Sequence, residues 1–89
     1  MPSISMFYGI IVYMLFKDNK RHNLPHIHVK YSEYKAVFDI KNCKLLDGKL
    51  PPKETKMVET WILLRQPELL ANWELALEGE ALYKIEPLR

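Results

Sequence analysis

Alternating apolar and polar residues dominate the first half of the chain. Residues 7–16 (FYGIIVYMLF) form an uncharged run rich in Ile, Val, Tyr and Phe, which is typical of a buried β-strand. Two later stretches, His26–Tyr31 and Tyr34–Ile40, alternate regularly and are separated only by Ser32 and Glu33. This spacing predicts a tight β-hairpin with a two-residue loop.

The apolar positions of this hairpin predict its register. The core side is expected to carry the apolar pairs, which are Tyr31–Tyr34, Val29–Ala36 and Ile27–Phe38. The opposite side is then expected to carry the remaining pairs, which are Lys30–Lys35, His28–Val37 and His26–Asp39. A shift by one residue would exchange the two sides, and the apolar pattern argues against that shift.

The hydrophobic period changes after Pro51. Asn42-Cys43 is a second turn that leads to a short strand over residues 44–46, and the sheet then ends at Leu50-Pro51-Pro52. Apolar residues at helical spacing predict one helix that begins near Pro52 and a second that begins at Pro67 and stops at Gly79. Residues 82–85 could form a short last strand.

These elements predict an α+β fold: a small antiparallel β-meander of three to four strands, packed on one face by two helices. We expect one domain over residues 1–89, with the meander in 1–50, the helix pair in 51–79 and a C-terminal segment in 80–89. Two helices cover only one face of a small sheet. Some apolar residues of the first strand could therefore lack cover and form an interface with a partner or a second copy of the chain; these are Tyr8, Ile10, Val12, Met14 and Phe16. Alternatively, the loop or the C-terminal segment folds over them.

Composition limits the setting of the protein. A single cysteine, Cys43, excludes an internal disulfide and a cysteine-based zinc site, which favours a reducing, cytoplasmic location. The run 7–16 is far shorter than the roughly 20 apolar residues of a membrane helix. No positive charge precedes this run, so we expect neither a signal peptide nor a membrane association.

Charge is divided unevenly along the chain. Residues 17–56 hold ten Lys or Arg and five Asp or Glu, whereas residues 57–89 hold three and six. The basic part could bind nucleic acid or an acidic partner. Alternatively, its lysines only keep the exposed side of the sheet soluble and discourage pairing at sheet edges.

Three histidines within seven residues are the strongest candidates for chemistry. On a strand, His26 and His28 point to the same side with side chains about 6.5–7 Å apart. Together with Asp39, which would orient His26, they could be the acid and base of a small metal-independent ribonuclease. Its nucleic-acid contacts would come from neighbouring residues, which are Lys30, Lys35, Tyr31 and Tyr34.

Two alternatives to catalysis stay open for these histidines. His26 and His28 could share a metal ion, with His22 or Asp39 as third ligand. They could also simply pack and hydrogen-bond at the end of a strand. Because the His-x-His pattern is common, we predict no metal and no cofactor.

Several blocks of the sequence resemble the bacterial family of domain of unknown function 4160 (DUF4160). They are ISMFYGI (4–10), PHIHVKYSEYKA (25–36), LPP (50–52), NWELA (72–76) and KIEPL (84–88). Members of that family typically have Pro and Gly where this chain has Leu24 and Ser32. The family is usually encoded beside a second small domain, DUF2442, in pairs that look like toxin–antitoxin modules.

The resemblance implies a toxin-like protein with an antitoxin-like partner of the DUF2442 type. RNA is the expected target, either cleaved or only bound. A non-enzymatic interaction or dimerisation module, working as a homodimer or with another protein, is the alternative function.

Overall fold

The computed structural model describes residues 3–15 and 24–88, which form a five-stranded antiparallel sheet and two helices. The strands lie in sequence order; the elements are β1 (Ser3–Phe7), β2 (Ile10–Tyr13), β3 (His26–Tyr31), β4 (Tyr34–Asp39), β5 (Lys44–Gly48), α1 (Pro52–Leu64) and α2 (Gln66–Leu77). The α+β meander followed by a helix pair is confirmed, with five strands instead of three to four. Neither helix in the described ranges is long and apolar enough to cross a membrane.

The additional strand comes from the apolar run 7–16, which the sequence pattern assigned to one strand. Tyr8 and Gly9 form a two-residue turn between β1 and β2, with φ angles of 50° and 80°. Positive φ at both loop positions is what the favoured type I′ hairpin turn requires, and glycine adopts it without steric cost. Apolar residues on both sides of Gly9 concealed this turn in the sequence.

The β3–β4 hairpin has the predicted register at every pair, from His26–Asp39 to Tyr31–Tyr34. Its loop consists of Ser32 and Glu33, and Ser32 adopts a φ of 53°. A glycine would adopt that angle more easily. The alternating apolar pattern thus outweighs an unfavourable turn residue.

The core lies between one face of the sheet and the two helices. Its fully buried residues include Val29, Phe38, Trp61 and Leu69. Of the two alternatives for the first apolar strand, its main residues have cover from within the chain, because Ile10, Val12 and Met14 are also completely buried. Tyr8, at the turn, is 64% exposed, and Phe16 lies outside the described residues. The uncovered apolar strip that suggested dimerisation is therefore absent from Ile10, Val12 and Met14, and dimerisation stays a prediction.

The C-terminal segment, residues 80–88, runs beside β1 without joining the sheet. The prediction of a strand at 82–85 is wrong, because the hydrogen bond from Ile85 N–H to the Ile4 carbonyl (2.8 Å) is the one backbone bond that links the segment to β1 in the described residues. Side chains of both helices hold it as well. Trp61 Nε1 donates to the Glu86 carbonyl (2.7 Å), and the Asn72 amide exchanges two hydrogen bonds with the Tyr83 backbone.

Candidate functional site

Two rows of side chains cross the side of the sheet that faces away from the helices. Strand pairing aligns one row as Met6, Ile11, Lys30 and Lys35, and the next as Ser3, Tyr13, His28, Val37 and Asp47. Because side chains alternate along a strand, these residues point away from the core positions between them. None of them is buried. We call this set of residues the open face.

The lysine pair is the strongest electrostatic feature of the open face. Lys30 and Lys35 lie directly opposite each other and are both exposed, and their ammonium groups have no hydrogen bond or ion pair with any residue in the described ranges. Like charges in that arrangement destabilise a sheet. The two lysines also lie on inner strands, whereas the edges of the sheet are β1 and β5. Protection of sheet edges therefore does not explain them.

An aromatic pair lies in the neighbouring row. Tyr13 and His28 are directly paired across β2 and β3, and their rings stack with centroids 5.3 Å apart and planes 18° apart. Tyr13 borders two shallow depressions of about 250 and 190 Å³, and Lys35 borders both as well. The open face thus places flat rings beside ammonium groups.

His26 lies behind this surface. It is 1% exposed, and its ring packs 4.8 Å from Trp73 of α2 and edge-on, 5.3 Å from His28, by centroid distances. Its Nδ1 lies 2.8 Å from the Leu24 carbonyl oxygen. Since a carbonyl only accepts, Nδ1 carries the hydrogen in this contact. His26 is therefore enclosed between the sheet and α2 and is not presented to a ligand on the open face.

Asp39 does not orient His26, although the strand register places the two residues opposite each other. Its Oδ1 accepts a hydrogen bond from the Lys41 backbone N–H (2.9 Å), and its Oδ2 accepts one from Asn42 Nδ2 (2.7 Å). An aspartate at the end of a strand readily bonds the backbone two residues ahead, and this local interaction shapes the turn. The expected His26–Asp39 contact is corrected accordingly: Leu24 holds the His26 ring.

Tyr31 and Tyr34 are separated from the lysines by the same alternation that places them beside each other. They lie on the helix side of the sheet, and their rings are near-parallel at a centroid distance of 6.5 Å. Of the residues predicted to form one site, the open face holds His28, Lys30 and Lys35 together. Buried His26 and Asp39 and the two tyrosines lie elsewhere.

Tyr13 belongs to the open face, although the sequence pattern alone does not single it out. It lies in the apolar run 7–16, which is typical of a single buried strand and predicts no ligand contact. The turn at Gly9 was the available signal. With that turn in place, alternation along β2 buries Ile10 and Val12 and turns Tyr13 to the opposite side.

Cys43 lies in the turn before β5. Burial, and next the negative charge of Asp39, raise the pKa of its thiol, while a hydrogen bond from Gln66 Nε2 to Sγ (3.3 Å) acts in the opposite direction. A thiol with a raised pKa stays protonated at neutral pH and is a weak nucleophile. The described ranges contain no group of three His, Cys, Asp or Glu residues arranged to hold a metal ion, and His22 lies outside them.

Comparison with known proteins identifies a family. The model of the family described as "Domain of unknown function (DUF4160)" matches residues 9–74. This range extends from the turn before β2 into α2 and includes every member of the open face except Ser3 and Met6. No curated protein and no solved structure matches the chain.

Proposed function

The chain belongs to the DUF4160 family, and we propose that it binds single-stranded RNA through the open face. The observation that supports this most strongly is the opposed pair of Lys30 and Lys35, which has no ion pair among the described residues, beside the Tyr13–His28 ring stack. A sheet tolerates opposed like charges at a cost to its stability. A bound polyanion would remove that cost.

The lysines and the two rings of the open face have separate parts in this proposal. The ammonium groups of Lys30 and Lys35 contact phosphates, which gives affinity that depends on salt but not on sequence. Tyr13 and His28 offer ring faces to unpaired bases, and stacking of this kind contributes about 1–3 kcal/mol per base. A β-sheet with exposed aromatic residues is a recurrent platform for single-stranded RNA.

Binding fits the geometry better than cleavage does. Metal-independent cleavage of a phosphodiester needs an acid and a base within hydrogen-bond reach of the reacting atoms. Of the two candidate histidines, only His28 faces the accessible side of the sheet, since His26 is enclosed against Trp73. The ribonuclease remains an outcome of the test below.

The toxin-like role is the biological setting proposed for this binding. A basic sheet that binds cellular RNA would slow growth, and an antitoxin-like partner of the DUF2442 type would neutralise it by covering the open face. On expression in bacteria we expect the wild type to inhibit growth and the double variant Lys30→Gln/Lys35→Gln to inhibit it less. Equal inhibition of growth by both proteins would show that the toxicity does not depend on the open face.

RNA binding is tested by fluorescence anisotropy with a labelled single-stranded RNA at several salt concentrations. Loss of two phosphate contacts in Lys30→Gln/Lys35→Gln should lower the slope of log affinity against log salt by about 1.4, since each contact to a single strand contributes about 0.7. Tyr13→Ala should weaken binding about fivefold or more through lost stacking.

The matched control is Lys41→Gln/Lys56→Gln, which removes the same charge from exposed positions away from the open face. We expect it to retain the wild-type salt slope. An unchanged slope in Lys30→Gln/Lys35→Gln would contradict the proposal. If the wild type shortens the RNA and His28→Ala does not, the proposed activity is cleavage and not binding alone. Equal affinity for DNA of the same sequence would extend the proposed ligand from RNA to single-stranded nucleic acid.

A further inference from the structure

A second cavity lies on the helix side of the sheet, beside the turn between β1 and β2. Its volume is about 560 Å³, and it is lined by Tyr8, Tyr31, Lys53, Glu54, Met57 and Leu88. It shares no lining residue with the open face. The RNA-binding proposal therefore does not account for it.

Glu54 is the feature that makes this cavity chemically specific. It is 8% exposed, and its carboxylate has no hydrogen bond or ion pair with any residue in the described ranges. In a capping box, a glutamate at the third position of a helix accepts a hydrogen bond from the backbone N–H of the N-cap residue. Here the N-cap is Pro51, which has no N–H. Glu54 is thus nearly buried as a residue, and its carboxylate has no partner among the described residues at this cavity.

The other walls complement a cation that carries alkyl groups. Tyr8 is 64% exposed at the edge of the cavity, on the turn that Gly9 completes. Tyr31 is positioned by its near-parallel contact with Tyr34, and Met57 adds an apolar thioether. Aromatic faces attract organic cations, most strongly where the site is partly desolvated.

We propose that this cavity binds an organic cation, an ammonium or guanidinium group on an alkyl chain, with Glu54 as its counter-ion. Tyr8 and Tyr31 contact the alkyl chain and the charged group. The cation is either a basic side chain of a partner protein or a free amino acid, and Lys53 at the cavity distinguishes these sources. Its ammonium repels a lone cation but pairs with the carboxylate of a free amino acid.

The proposal is tested by NMR titration of the ¹⁵N-labelled protein with two probes, Nα-acetyl-arginine methylamide and free arginine. Chemical shifts should move at Tyr8, Tyr31 and Glu54, and the uncharged citrulline analogues should bind about tenfold more weakly or worse, because they leave the carboxylate unpaired. Glu54→Gln should weaken the charged probes by about the same factor. Tyr8→Ala, at an exposed turn position, should weaken them severalfold and stay folded.

Glu74→Gln, at an exposed position of α2, is the charge-matched control and should bind like the wild type. Citrulline binding as tight as arginine, unchanged affinity in a folded Glu54→Gln, or shifts confined to other residues would each overturn the proposal. Arg89 follows Leu88 in the sequence, and a tenfold gain of probe affinity in Arg89→Ala would also overturn it, because the chain's own side chain would then be the occupant.

The preference of the wild type between the two probes assigns the source of the cation, and Lys53→Gln shows whether Lys53 sets that preference. Tighter binding of the blocked probe than of free arginine supports a side chain of a partner protein. Tighter binding of free arginine that is lost in Lys53→Gln supports a free amino acid.

Discussion

The two faces of the sheet come from the same five strands but follow different rules. On the helix side, Val29 and Phe38 lie in a continuous apolar layer that excludes water. The residues next to them on the same strands, Lys30 and Val37, belong to the open face. There, an ammonium pair and a ring stack contact solvent. The difference teaches that one face alone specifies the strands. The open face can then carry residues, such as the opposed lysines, whose arrangement does not stabilise the fold.

The largest loss of stability is expected from a substitution on the helix side of the sheet. Phe38→Ala removes a fully buried ring and should lower the free energy of unfolding by about 3–5 kcal/mol. Replacement of its neighbour Val37, on the open face, by alanine should lower the free energy of unfolding by only about 1 kcal/mol. Urea unfolding of both variants measures the contrast, and similar losses would mean that the open face is packed against a further surface.

A smaller effect concerns Gly48, where β5 meets β4. It has a φ of 75°, and a Cβ at this position would lie 2.1 Å from the Lys35 carbonyl oxygen. Gly48→Ala should therefore destabilise the protein by about 2–3 kcal/mol and shift Lys35, which also weakens RNA binding.

Gly9 is the matched comparison, since a Cβ there would meet Tyr31 at 3.4 Å, an ordinary contact. Gly9→Ala should cost about 1 kcal/mol, from its positive φ alone, as thermal unfolding would show. Equal effects of the two substitutions would argue against the close approach of β5 to the Lys35 backbone.

The smallest effect has the opposite sign. Lys35→Gln removes one of two opposed charges and should raise the free energy of unfolding by about 0.2–1 kcal/mol at low salt, with less gain at high salt. RNA affinity should fall in the same variant. A loss of stability would show that Lys35 supports the fold, and the contrast between the two faces would be weaker than proposed.

Local pattern predicted the parts of the fold that depend on neighbouring residues. The β3–β4 register followed from strict alternation around a two-residue loop, and α1 followed from a proline at its start. The turn at Gly9 was hidden because apolar residues flank it on both sides.

The candidate site was harder to predict, because it depends on contacts between distant segments. Alternation places His26 on the polar side, but Trp73 of α2 covers it, and no local pattern records that contact. Asp39 accepts a hydrogen bond from the backbone N–H two residues ahead and not from the histidine opposite. His28, Lys30 and Lys35 were found together because they share one hairpin.

The C-terminal segment affects how the molecule reaches its native state. Lys84 Nζ contacts the Ser3 carbonyl at 2.8 Å across a separation of 81 residues, and Ile85 bonds Ile4 beside it. Contacts between such distant residues close large loops and slow folding. During synthesis, the outer edge of β1 and the Trp61 indole lack these contacts until residues 83–86 have left the ribosome. Until then this edge of the sheet is unprotected, and the last step of folding waits for residues 83–86.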